Sequence, residues 1–233
     1  MANKKRGVIY IVWGNQSDAV LERSKKSLAL YHPELQIEVI RIDAQTDSIS
    51  GLRYKSRMMS LSPFVETLFL DADTVVLGRL DFGFDKAARF GLACTISECP
   101  WARRYSKSIK GDTIEYNTGV VFFTGKAKPV FDTWERLAQT VDASMVHYVN
   151  VNGQMAEMKF NDQCPFAMAV EETGFSPFVL PQNWNYRATY VRDFFGPIRI
   201  WHAYPEPPKA VYDLATYYEA PGSVIQQHWF AVG

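Results

Sequence analysis

The chain has 233 residues, 47% of them apolar and 14% aromatic, so it is long enough for one sizeable core and too apolar for a disordered polymer. Lysine and arginine together number 25, as do aspartate and glutamate, and this zero net charge argues against a sequence-blind nucleic-acid binder, which needs surplus cations to displace phosphate counterions. No apolar run approaches the roughly 18 residues of a membrane span, and the charged start MANKKRGVIYIVWGN lacks a small-residue cleavage site, so it reads as a strand rather than a signal peptide. The cysteines, Cys94, Cys99 and Cys164, are odd in number and form no CxxC pair, which points to free thiols and a cytoplasmic setting.

The first half alternates strand-like and helix-like stretches. VIYIVWG is a continuous apolar run ended by Gly14-Asn15, as in a strand buried on both faces. Ser17 or Asp18 can cap a helix that runs to about Tyr31, with Val20, Ser24, Leu28 and Tyr31 on one stripe and Pro33 beyond it. QIEVIRID forms a second strand, residues 53–61 a helix that stops before Pro63, and TLFL (67–70) a third strand running into Asp71-Ala72-Asp73. This β-α-β-α-β order predicts right-handed crossovers and a mostly parallel, Rossmann-type sheet flanked by helices. Beyond Asp73 the pattern loosens. Strands are expected at 90–96, 118–124 and IRIWH, and helices at 128–141, 161–173 and about 208–219. The polar stretch between the first two of these strands reads as a loop. No linker, low-complexity tract or repeat divides the chain, so a single domain is expected, with two halves covering about 1–75 and about 76–233.

TLFLDADTVVL is the most informative segment. Two carboxylates separated by one residue, just past the C-terminal end of a buried strand, lie where open α/β sheets bind ligands. A turn there can aim both at one point, and hard oxygen ligands suit Mg²⁺ or Mn²⁺, which would bridge a substrate diphosphate. FLDADT also fits the string of haloacid-dehalogenase-type phosphatases, whose first Asp is a nucleophile, although that motif usually follows the first strand. A sugar-nucleotide-binding scaffold without activity is a further alternative. The end of the first strand places Val12, Trp13 and Gly14 where a base and ribose would lie, with Asp43 nearby. Trp184, Tyr186, Trp201 and Tyr204 are compatible with a carbohydrate-facing wall or with packing.

Several pieces occur in order: Lys55 sixteen residues before Asp71, the strand-linked DADT, YNTGVVFF, NDQ, and His202 followed by Lys209. With these, the sequence resembles the glycogenin and lipopolysaccharide-galactosyltransferase family of retaining, GT-A type nucleotide-sugar glycosyltransferases, over most of its length. The resemblance implies that Asp71, Asp73 and His202 ligate Mn²⁺ or Mg²⁺, and that Lys55 and Lys209 meet the donor phosphates, with Arg57 a possible substitute for Lys55. It also places Asn117 and Gly119 against the sugar, and Asp162 and Gln163 beside the transferred residue. The family has Asn-Ser-Gly where this chain has Asn117-Thr118-Gly119, and it places its Lys closer to its His. His32, His147 and His228 are expected to be structural. The implied reaction is retaining transfer of a hexosyl group from a nucleoside diphosphate sugar, UDP-linked, to an acceptor hydroxyl. The acceptor could be a glycan, a lipid-linked sugar, a protein or a small molecule.

Overall fold

The computed structural model describes residues 5–13, 18–43, 46–98, 113–149 and 154–229. Strand β1 (Arg6–Val12) is buried along all but its first residue, as its unbroken apolar run requires. Helix α1 (Asp18–Tyr31) turns Leu21, Ser24, Ser27 and Leu28 inward, so its buried stripe carries two hydroxyls as well as apolar groups. Strand β2 (Gln36–Arg41) alternates exposed and half-buried positions along most of its length, the pattern of a sheet edge. Helix α2 (Ser48–Tyr54) is capped by Asp47, whose carboxylate accepts the Ser50 N–H at 2.9 Å. A 3₁₀ turn at Lys55–Arg57 links it to the short α3 (Met58–Leu61), so the expected helix at 53–61 is longer and interrupted.

The fully buried β3 (Glu66–Leu70) leads through the Asp-Ala-Asp turn into β4 (Thr74–Val76). Helix α4 (Asp81–Phe90) then precedes β5 (Leu92–Ile96) and the nine-residue, entirely buried β6 (Tyr116–Thr124). Helix α5 (Lys128–Thr140) starts with Pro in its first turn, where the ring costs no hydrogen bond. The hairpin β7 (Met145–Val149) and β8 (Met155–Met158) follows, and then α6 (Gln163–Thr173), which ends on a left-handed Gly174. Short strands β9 (Phe178–Leu180), β10 (Asp193–Phe195) and β11 (Ile200–His202), helix α7 (Lys209–Glu219) and β12 (Gln227–Trp229) complete the order.

The central sheet has the order β2-β1-β3-β6-β5-β9. Strand β1 is parallel to β2 and β3, and β5 is parallel to β9, while β6 runs antiparallel to both of its neighbours. The strand period of two sends Val8, Tyr10 and Leu68 to one face, against Leu21 and Leu28 of α1 and Phe84 of α4. Ile9, Ile11 and Phe69 go to the other, against Trp134 of α5 and Phe166 of α6. Because β1 and β3 are parallel, Val12-Trp13 and Asp71 emerge at the same end of the sheet. A second, two-stranded pairing decides the site: β11 runs antiparallel to β4 with His202 opposite Thr74.

Candidate active site

Backbone and hydroxyl contacts hold the Asp71–Asp73 turn from both sides. The Asp71 N–H donates to the Gly119 carbonyl at 2.8 Å, so the turn is anchored to β6. Thr74 donates its hydroxyl at 2.8 Å to the Asp71 carbonyl, and the same hydroxyl is 2.9 Å from Ser24 Oγ, which in turn is 3.0 Å from the Tyr10 hydroxyl. All three hydroxyl side chains are buried, where an unsatisfied polar group would be costly, and the chain satisfies each from another. On the far side the Ala203 N–H donates to the Asp73 carbonyl at 3.0 Å, extending the β4–β11 ladder by one bond. Arg23 of α1 clamps this junction, donating to the carbonyls of Ala203 at 2.9 Å and Tyr204 at 2.7 Å.

That ladder brings a histidine from the far end of the chain onto the two carboxylates. His202 Nε2 lies 3.3 Å from Asp73 Oδ1 and 3.7 Å from Asp71 Oδ2, and one ligand atom from each of the three residues falls within 4.8 Å of the others. The imidazole is 8% exposed, against 25% for the Asp71 side chain and 20% for that of Asp73. His202 Nδ1 is 2.7 Å from Asn185 Oδ1, and Asn185 donates its amide at 2.9 Å to Asn117 Oδ1. Gly119 is required here for want of a side chain: a Cβ would fall 2.3 Å from His202 Cε1 and 2.7 Å from Asp71 Oδ2. The room that glycine leaves is filled by the imidazole and a carboxylate.

Asp71 also belongs to a second cluster. Lys55 Nζ lies 3.0 Å from Asp71 Oδ1, 3.0 Å from Asp162 Oδ2 and 3.5 Å from Thr118 Oγ1, while Thr118 donates its hydroxyl to Asp162 at 2.6 Å. An ammonium has three N–H donors, and these contacts account for all of them. Burial on its own would lower the pKa of Lys55, but the charges of Asp162 and Asp71 and their hydrogen bonds outweigh it and raise the value. The two carboxylates of the turn diverge. Burial pushes Asp71 up, with Lys55 and His202 opposing and Asp73 and Asp162 adding to the rise. At Asp73 burial also works upward, but the charge and hydrogen bond of His202 prevail and hold it below the usual carboxylate range.

No protein-family model matches this chain, and neither does any curated protein. Among solved structures, mouse xyloside xylosyltransferase 1 is similar over 87% of this chain and 100% of its own, with 14% identity and a TM-score of 0.56. The chain has the GT-A glycosyltransferase fold. The glycosyltransferase GlyE of Streptococcus pneumoniae shares it, with 16% identity and a TM-score of 0.56 over 87% of this chain, which spans 55% of the GlyE chain. An active-site mutant of the galactosyltransferase LgtC is similar over 93% of this chain and 92% of its own, with 12% identity and a TM-score of 0.51.

In this GT-A chain a cavity of about 370 Å³ opens where β1 and β3 end, with Val12, Trp13, Lys55, Asp71, Asp73 and His202 on its walls. Trp13 is half-buried because its indole lies on Gly51 of α2, where a Cβ would come within 2.3 Å of the ring. Of the four aromatic residues considered for a sugar-facing wall, Tyr204 lines this cavity, whereas Trp184, Tyr186 and Trp201 are core. Gly14 and Cys99 lie outside the described residues, as does most of the loop between β5 and β6. Gln163 is buried and donates to Ser97 Oγ at 3.2 Å. Asp162 makes no side-chain cap for α6, a task left to Asn161, whose Oδ1 accepts the Gln163 N–H.

Two of the sequence candidates stand apart. Lys209 opens α7 with its side chain 86% exposed and paired to Asp213, its i+4 neighbour, so it is outside the cavity wall. Arg57 points away toward Glu135 at 3.3 Å and is no substitute for Lys55. Asn185 is the residue that sequence reasoning missed. It follows a 3₁₀ turn in an irregular segment, and NWNYR carries no motif that would single it out.

Proposed function

We propose that this protein is a metal-dependent glycosyltransferase that moves a hexosyl group from a UDP-sugar to an acceptor hydroxyl with retention of configuration. The observation that carries the proposal is the convergence of Asp71, Asp73 and His202 on the wall of a cavity in a GT-A fold. The donor set fits a divalent cation. Two carboxylates and one imidazole leave coordination positions open, and Asp71, Asp73 and Asp162 together outnumber Lys55 by two formal charges. Mn²⁺ or Mg²⁺ held there would supply Lewis-acid neutralisation of the leaving diphosphate.

The chain's own groups supply the rest. Trp13 and Val12 offer a flat apolar wall to the uracil and ribose. Lys55 fixes the Asp162 carboxylate at 3.0 Å and adds a permanent positive charge beside the phosphate end of the cavity. Asp162, held by Lys55 and Thr118, would face the anomeric carbon or hold a sugar hydroxyl as positive charge develops on the ring. The UDP donor, the hexosyl group and retention rest on the sequence resemblance together with this carboxylate placement. Calorimetric titration with UDP tests the reading: binding that requires Mn²⁺ is expected, and UDP binding that is absent or indifferent to metal would overturn it.

A further inference from the structure

The buried amides behind His202 have a polarity that can be deduced from one backbone group. A backbone N–H can only donate, and the Gly119 N–H lies 2.9 Å from the Asn117 side chain, so the atom it meets must be the carbonyl oxygen Oδ1. The second group on that oxygen, 2.9 Å away, must also be a donor, which makes it Nδ2 of Asn185. Asn185 therefore turns its own Oδ1 toward His202, 2.7 Å from Nδ1. An oxygen there accepts, so Nδ1 must carry a hydrogen. When the imidazole is neutral, its only lone pair is then on Nε2, the nitrogen facing Asp73 and Asp71. Asn117, Asn185 and His202 are all buried, so water does not offer substitute partners at ordinary cost.

From this we infer that Asn185 and Asn117 are positioning residues, which fix the tautomer and the ring orientation of His202 so that Nε2 is presented to a divalent cation. The inference rests on the metal-site reading above and deepens it, because it gives Asn117, beside the sugar contact expected of it, the support of a metal ligand. It also explains the sequence Asn117-Thr118-Gly119. Successive residues of β6 face opposite sides of the sheet. Asn117 reaches His202 through Asn185, Thr118 reaches Asp162 and Lys55, and Gly119 binds the Asp71 N–H through its carbonyl. One tripeptide thereby sets the spacing between the cation site and the sugar-facing carboxylate.

The direct test is ¹⁵N NMR of histidine-labelled, metal-free protein, with the His202 signals assigned through His202→Gln. A proton on Nδ1 is expected, and a ring protonated on Nε2 alone would overturn the inference without any variant having to fold. The variants then separate positioning from general structure. Asn185→Leu and Asn117→Leu should weaken Mn²⁺ binding, read by electron paramagnetic resonance, by roughly 10- to 100-fold. Asn117→Asp keeps the acceptor for both donors and should bind near the wild-type level. Activity of the two leucine variants should recover at high Mn²⁺, which a merely structural defect would not allow. Folded Asn185→Leu with wild-type Mn²⁺ affinity would sink the proposal. If the unmutated protein binds no Mn²⁺, it is the proposed function that fails, and the NMR readout still decides the tautomer.

Discussion

Asp71 is shared by two clusters of the same composition, two carboxylates and one basic side chain, and the base makes them different. In the Lys55 cluster an ammonium lies 3.0 Å from each carboxylate and has all its donors placed, so the cluster is internally satisfied. In the His202 cluster the imidazole contacts are longer, 3.3 and 3.7 Å, and the ring faces the carboxylates with the nitrogen opposite the one bonded to Asn185. The first arrangement has its cation supplied by the chain itself, and the second is open on its cavity side. The lesson is that a carboxylate pair alone does not define a cation site. What defines it is whether the third group has its charge and hydrogen-bonding capacity already committed.

The largest expected effects come from the two aspartates. Asp71→Asn disturbs both clusters and should lower turnover and stability together. Asp73→Asn touches only the open cluster and should lower turnover at least about tenfold, since a metal ligand is worth several kcal/mol of charge stabilisation, while leaving the melting temperature near wild type. Steady-state kinetics beside calorimetry of the same samples would show the split, and equal stability losses would erase the distinction between the clusters. Next is Lys55→Met, which leaves Asp71 and Asp162 facing each other without their cation and should cost about 3 kcal/mol or more. The sign with pH follows from the raised Lys55 pKa. Its contribution is complete below the unfolded lysine value of about 10.4 and is lost as pH climbs through the higher folded value. Denaturant titrations at alkaline pH should therefore show a declining limb that Lys55→Met lacks.

Gly119→Ala should come third, at about 1–3 kcal/mol of overpacking. Its Cβ would push on both His202 and Asp71, so Mn²⁺ affinity should fall further than stability does. Unaltered Mn²⁺ binding in this variant would mean that the imidazole is free to move. The smallest effect is expected at Asp47→Ala, which removes the cap of the helix leading to Lys55. Hydrogen bonds from Ser50 hold the Asp47 pKa below its ordinary value. The capping contribution is therefore present above the ordinary carboxylate range and fades as the pH falls through the folded value. A small drop in melting temperature near neutrality that vanishes in acid is the expected result.

The same contrast explains what could be read in advance. Strands β1 and β3, helix α1 and the Asp71–Asp73 turn carry local signals: unbroken apolar runs, a 3.6-residue stripe and carboxylates at a strand end. Helix α4 carries no such signal, because DFGFDKAARF has an interior glycine and no side-chain cap of its own. The missing cap comes from elsewhere: His32 Nε2 accepts the Leu80 N–H at 2.8 Å, a contact across 48 residues that also gives the otherwise structural His32 its task. The three-residue strands β4 and β11 are too short to be periodic, yet their register is what brings His202 to Asp73. Motif order alone thus identified His202, whereas Asn185, outside any motif, needed the fold. Lys209 shows the converse, a residue taken from motif order that the fold leaves in solvent.

The central claim is most directly tested by a crystal soaked with Mn²⁺ and UDP, with diffraction collected at the manganese edge. The account predicts one anomalous peak within bonding distance of Asp71, Asp73 and His202 Nε2, with diphosphate oxygens completing its shell and Lys55 still bridging Asp71 and Asp162. A peak that leaves the imidazole uncoordinated, or one bound between Asp71 and Asp162 with Lys55 displaced, would contradict it.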